Sequence, residues 1–302
     1  MIVKTQAELD AALANPRVSV IEIRSEAGVW LTVEGQRPDT SVVARGSSRV
    51  VARGSSSVDA WGSSSVVARG SSRVVARGSS SVVARGSSRV VARDSSRVVA
   101  RDSSSVVARD SSSVVARDSS SVDARDSSSV DAWGSSRVVA WDSSRVDAWD
   151  SSRVDATPHV AIHLHSVNAT VAGGVVIDVT EVNKTAEKWT EHHGLNVTLG
   201  KVILFKAVND SWTTDRGFNY APGQVVTAPD WRNDGRCGGG LHLGPTPRHA
   251  KDYFTYATRF VAVEVDASEL SPIDDSYATP KAKARTCRVL HEVDVDGNRV
   301  SS

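Results

Sequence analysis

From Ser47 to Asp150 the chain alternates positions that never vary with positions that do, in units of eight residues. The unit reads S-S-[SR]-V-[VD]-A-[RW]-[GD]; thirteen complete copies follow one another, with partial copies from Ser41 and up to Ala156. Positions 1, 2, 4 and 6 are constant, and positions 3, 5, 7 and 8 change. This alternation has the period of a strand with one buried face. Serine at position 2, valine at 4 and alanine at 6, as in Ser72, Val74 and Ala76, make the predicted inner set. Positions 3, 5 and 7, as in Arg73, Val75 and Arg77, point outward. Glycine or aspartate at position 8, followed by serine, is turn chemistry: glycine permits positive φ, and aspartate can hydrogen-bond its own downstream backbone. Recurring β-branched valines, paired serines and glycines, with no 3.6-residue stripe, exclude a helix.

One strand and one turn per octad, stacked on near-identical neighbours, predicts a β-solenoid. The inner side chains are all small, which favours a flattened coil of two octads per rung and leaves three per rung open. Seven rungs at ~4.8 Å would make a rod roughly 30–35 Å long. A solenoid must close its ends, or its exposed rungs pair with other chains. At the front, "TQAE" is a capping box with Thr5 as N-cap and Glu8 at N3, opening a short helix that Pro16 stops. Strand-like Val18–Ile23 and Val29–Val33 lead into the octads. At the back, His159–Thr180 keeps the alternation without the octad and reads as the last, irregular rungs.

After about residue 183 lysines, aromatics, prolines and both cysteines appear. Strand-like Lys201–Val208, Arg259–Val265 and Thr286–Val293, with a helix-like Pro247–Phe254, predict a compact α+β domain of about 120 residues, long enough for its own core. The fold class is therefore mainly β: a cap over residues 1–40, a solenoid over 41–182, and a small α+β module over 183–302. Aromatics make up only 5% of the 302 residues, so one conventional core does not fill the chain. No charged-then-apolar leader opens "MIVKTQAELD" and no run of 18 apolar residues occurs, so a cytoplasmic protein without a membrane span is expected. Cys237 and Cys287 form neither a disulfide framework nor a zinc spacing and are expected as free thiols.

Charge refines the rod. Residues 41–93 hold nine Arg and one Asp, and residues 94–156 hold eight Arg and eleven Asp. The halves thus carry +8 and −3, which suits contact with a protein partner or head-to-tail self-association, with Arg69, Arg77 and Arg85 as binding candidates. A nucleic-acid contact through the basic half is weighed against its lack of lysine and scarcity of aromatics. Trp133, Trp141 and Trp149 occupy position 7 of three successive octads and could form a binding strip. His163 and His165, two apart on one strand face with His159 in phase, are candidate metal ligands; no third ligand has a clear spacing, with "EHH" at Glu191–His193 a candidate. The plainer reading makes them polar residues of a cap strand. No cofactor is expected.

The octads resemble the V-x-A-x-[GD] solenoid tracts of bacterial and phage proteins. The octad substitutions are single-base changes in GC-rich codons, as in a recently duplicated actinobacterial or phage unit. The stretch "CGGGLHLGPTPRHAKDYF…RFVAVEVDASELSPID…KAKARTCRVLHEVD" resembles an uncharacterised C-terminal module of such proteins, in which a Gly-Leu-His turn follows a cysteine and precedes a strand ending in "VEV". A similar "GLHVG" turn occurs in phage lysis-inhibition accessory proteins. The resemblance implies a type of module and no activity. Catalytic candidates are the Cys237–His242 pair with His249 and Tyr253, or a split ADP-ribosyltransferase-like site of Lys206, Tyr220 and Glu264. Asp230 is a further polar group, and "CGGG" lacks the Lys-Ser/Thr of a phosphate loop. The reading favoured is a structural or interaction protein, a rod presenting a binding module; the alternative is an enzyme or toxin-like effector with its chemistry in that module.

Overall fold

Each octad contributes one four-residue strand at positions 3 to 6, such as Arg73–Ala76 and Arg89–Ala92. Pairing is parallel and skips one octad: Val90 lies between Val74 and Val106. A rung is therefore sixteen residues, two octads, the smaller of the two rungs that the sequence left open. Serine, valine and alanine at positions 2, 4 and 6 are buried throughout the tract, Ser88 and Ala92 completely. They make one continuous core.

The computed structural model describes residues 1–274 and 279–300. The chain divides into the units Met1–Thr180 and Glu181–Ser302.

Position 8 turns the corner with positive φ, 68° at Gly78 and 56° at Asp94. Glycine adopts this freely; aspartate is one of the few side chains that tolerate it. The aspartates do not bond their own downstream backbone as the sequence suggested. Each reaches one rung upstream: the carboxylate of Asp94 accepts from the Gly78 amide at 2.8 Å, and that of Asp110 from the Asp94 amide at 3.1 Å. The same bond recurs at Asp102, Asp118, Asp126, Asp142 and Asp150. The corner amide of an upper rung thus gains an acceptor wherever the rung below it carries aspartate.

At the front, helix Gln6–Ala14 closes the core with Leu9, Ala12 and Leu13, and the Thr5–Glu8 capping box is formed. Strands Val20–Ile23 and Trp30–Val33 make the first rung by pairing with Ser41–Ala44 and Arg49–Ala52. At the back, Arg153–Leu164 runs through a whole rung as one long strand, and Thr170–Asp178 pairs alongside it. Gly173 makes that last corner possible, since a Cβ there would sit 2.1 Å from the Ala156 carbonyl oxygen.

In the second unit, among the described residues, five strands form an antiparallel sheet in the order Val197–Thr198, Lys201–Val208, Arg259–Asp266, Thr286–Val293, Val225–Thr227. A three-stranded sheet joins Leu241–Leu243, Ala282–Ala284 and Ser271–Pro272. Helices are Ala186–His192 and Pro247–Asp252, the latter with Thr246 as N-cap and proline in its first turn. Alternation along Lys201–Val208 sends Val202, Leu204 and Val208 into one core and Ala207 into another. No helix among the described residues is long and apolar enough to cross a membrane.

Candidate binding site

Beyond its short pairing with Val197–Thr198, strand Lys201–Val208 exchanges two backbone hydrogen bonds of 2.9 Å between Phe205 and Gly244. This contact lays the "GLHLG" segment beside the strand. A cavity of about 220 Å³ opens there, lined by Lys206, Tyr220, Cys237, His242, Tyr253, Lys281 and the Thr214–Arg216 loop. Its volume is below the ~300–1,000 Å³ typical of drug-sized ligands, so it suits a small molecule.

Five of the catalytic candidates meet here, though not in the arrangements the sequence suggested. His242 accepts the Gly238 amide on Nε2 at 3.2 Å, which leaves its proton on Nδ1. Burial, then Lys206, Lys281 and Arg216, push its pKa down to about 4, so it is neutral at pH 7. The Cys237 thiol has Lys281 Nζ at 3.7 Å. The Nε2 of His242 is thus spent on Gly238, and the thiol contact recorded is to a lysine, so a Cys–His nucleophile pair is not what the geometry builds. Lys281 also lies 4.3 Å over the Tyr253 ring, and the Tyr253 hydroxyl donates to the Thr279 carbonyl.

Lys206 donates to the His242 carbonyl at 2.8 Å, with the buried Tyr220 ring 5.6 Å away. Burial, aided by Arg216, lowers its pKa to about 8 despite the opposing pull of Asp215. Burial also pushes the Tyr220 hydroxyl far up and the Cys287 thiol up to about 12, so both stay protonated. Glu264 does not join them. It pairs with Ile203 while Lys206 pairs with Val261, three residues away, which places the two side chains on opposite faces of the sheet. The split dinucleotide site is therefore not assembled. His249 bonds Thr246 at the helix cap (2.9 Å), and Asp230 faces Arg216 at 3.7 Å; neither lines the cavity.

Three side chains in or beside the cavity escaped the sequence reading: Arg216, Lys281 and Lys283. Lys283 is fully buried and donates to Asp234 (2.5 Å) and to the carbonyls of Arg236 (2.8 Å) and Gly238 (3.0 Å). It holds the loop that carries Cys237. Gly240 lets that loop pass beneath Trp231, whose ring would lie 2.9 Å from a Cβ at this position. The alternation in "KAKAR" was the available signal, because it sets Lys281 and Lys283 on one side of the strand and Ala282 and Ala284 on the other.

On the rod, the sixteen-residue period redistributes the binding candidates. Trp133 and Trp149 stack at 4.5 Å, and His165 stacks on Trp149 at 3.7 Å. Trp141 belongs to the other column of octads, so a three-tryptophan strip does not form. Arg69 and Arg85 share one column and are exposed; Arg77 is in the other, packed over Trp61 at 4.5 Å. His163 and His165 both face Asp147, at 3.6 and 3.1 Å. Burial raises the Asp147 carboxyl, but hydrogen bonds from His165 and Arg145 outweigh it and leave the pKa lowered. Among the described residues no group of three or more His, Cys, Asp or Glu is arranged to hold a metal ion.

Fold and cavity together define a β-solenoid scaffold bearing a small α+β module. Residues 202–298, most of that module, match a family model described as a domain of unknown function (DUF7666). No curated protein and no solved structure matches the chain.

Proposed function

We propose that the chain is a structural and interaction protein in which the solenoid presents the C-terminal module and the module's cavity binds a small anion. One observation carries this reading. Three cationic side chains, Lys206, Arg216 and Lys281, line the cavity; among its described lining residues the carboxylate is Asp215, and Arg216 also faces Asp230 at 3.7 Å. Lys281 is nearly enclosed and Arg216 stands at the open side, so an anion in the cavity meets positive charge from both sides, at the lower dielectric of a partly buried site. Isothermal titration of the full chain with oxalate should give one-site binding, weakened about tenfold, or ~1.4 kcal/mol, by Arg216→Gln. No binding at ~10 mM oxalate, well above the concentrations at which a weak small-molecule site fills, would remove the reading.

The rod's halves, +8 and −3, also support contact between copies or with a charged protein partner. Exposed charges interact over ~8 Å at physiological salt, so any oligomer built this way should dissociate between low and moderate salt. Sedimentation at two salt concentrations tests it; a salt-independent oligomer counts against the electrostatic contact.

A further inference from the structure

The cavity contains an amine with an unusual environment. Lys206 Nζ lines it, and the hydrogen bond recorded for that amine is the one to the His242 carbonyl. No carboxylate among the described residues forms an ion pair with it. Its neighbours are the Tyr220 ring and the buried Cys287 thiol, both of which stay uncharged. A neutral amine has two N–H donors and one lone pair. Donation to His242 occupies one N–H and fixes the nitrogen, leaving the lone pair available to whatever fills the space.

We propose that Lys206 is a nucleophile that condenses reversibly with the carbonyl group of a small oxo acid held in this cavity. The inference rests on the anion-binding reading above, since Arg216 and Lys281 would hold the acid's carboxylate while Lys206 meets its carbonyl carbon. The Nζ lone pair attacks that carbon, the C=O π pair moves to oxygen, and a proton from nitrogen follows it to give the carbinolamine. The hydroxyl then leaves as water with the second nitrogen proton, and the C=N bond of an imine remains. One water is released, no electrons are transferred, and no co-reactant is consumed.

The protonation state supports the step. With a pKa of about 8, about a quarter of Lys206 is neutral at pH 7.5, against roughly 0.1% for an ordinary lysine. The amine becomes reactive through burial, as imine-forming lysines require. Cys237 in the same cavity is the rival nucleophile, but a thiol adduct cannot be reduced to a secondary amine, so reductive trapping separates the two.

Glyoxylate with cyanoborohydride is the probe: hydride reduces the C=N bond and leaves a carboxymethyl group on nitrogen. On the unmodified full chain, peptide mass spectrometry should find Lys206 labelled at least tenfold faster at pH 7.5 than the exposed Lys4 and Lys188. The advantage should shrink by pH 10, where ordinary lysines also become neutral. Oxalate, which cannot form an imine under these conditions, should protect Lys206 alone. Labelling of Lys206 no faster than Lys4 would overturn the imine. If oxalate still binds in that case, the anion site stands without it; if oxalate neither binds nor protects, both fall. Fast labelling that oxalate does not slow would uphold the nucleophile and remove the anion site.

Discussion

Val90→Asp is expected to unfold the rod locally or throughout, whereas Val91→Asp, one residue away, should be nearly silent. Val90 is 2% exposed, and its neighbours above and below are Val74 and Val106. The inner column offers only serine, valine and alanine, with no cation to pair a carboxylate. An unpaired buried carboxyl costs several kcal/mol whether it stays charged or takes up a proton, and we expect a loss of about 4 kcal/mol or more. The damage should spread to adjacent rungs, because stacked repeats are stabilised by their neighbours. Val91 points outward, where Asp59, Asp123, Asp131 and Asp147 already stand in other octads. Asp123 there pairs with Arg125 at 2.8 Å, and Arg93 occupies the equivalent place beside Val91. Exposed pairs of this kind contribute little, so Val91→Asp should change stability by about 0.5 kcal/mol at most. Asp131 marks the limit: burial and the neighbouring Asp147 raise its pKa, and Val91 has valines, not aspartates, on either side. Urea unfolding followed by circular dichroism reads both. Equal losses for the two variants would contradict the inward and outward assignment.

The contrast between those residues was legible in the sequence because the rod repeats the same physical decision thirteen times. Alternation fixed which side chains point inward, while the small inner volumes of Ser88, Val90 and Ala92 favoured two octads per rung over three, a choice that the sixteen-residue pairing settles. The corner aspartates were less legible. Their type announced a turn, but their acceptor role depends on which backbone amide lies one rung away, and that follows only once the sixteen-residue register is known. The same register splits Trp141 from Trp133 and Trp149. In the module, Cys237 and His242 stood out through their glycine-rich turn and do reach one cavity. Lys206 and Tyr220 were singled out for a different site, with Glu264, and sheet alternation separates that third member. Arg216 carries no local motif, and Lys281 and Lys283 carry only the alternation of "KAKAR". Lys281 and Lys283 matter through burial and the exposed Arg216 through its place beside the cavity, and both depend on chain segments far apart in sequence.

Lys283→Met is expected to dissolve the loop around Cys237 while leaving the rod intact. The Lys283 side chain is fully buried, and its ammonium serves three acceptors: the Asp234 carboxylate and the carbonyls of Arg236 and Gly238. Methionine replaces the stem volume but donates nothing, so two carbonyls and a carboxylate lose their donor together. Breaking a buried, charge-assisted set of this kind costs about 3 kcal/mol or more in the module. Arginine should not rescue it, because a planar guanidinium does not fit where a compact ammonium sits completely enclosed. The same pair sets a pH dependence. Lys283 holds the Asp234 carboxyl below its usual value near 3.8, so the stabilisation is present at neutral pH and is lost as pH falls below that value through the folded pKa. Because Gly238 donates to His242, the loss should pass into the cavity, and oxalate binding should weaken with it. Hydrogen exchange measured by mass spectrometry should show lost protection in peptides spanning 232–243 and unchanged protection in the octads. Retained protection in 232–243 with Lys283→Met would mean that the glycine-rich loop is held by its backbone path beneath Trp231 and not by the buried ammonium.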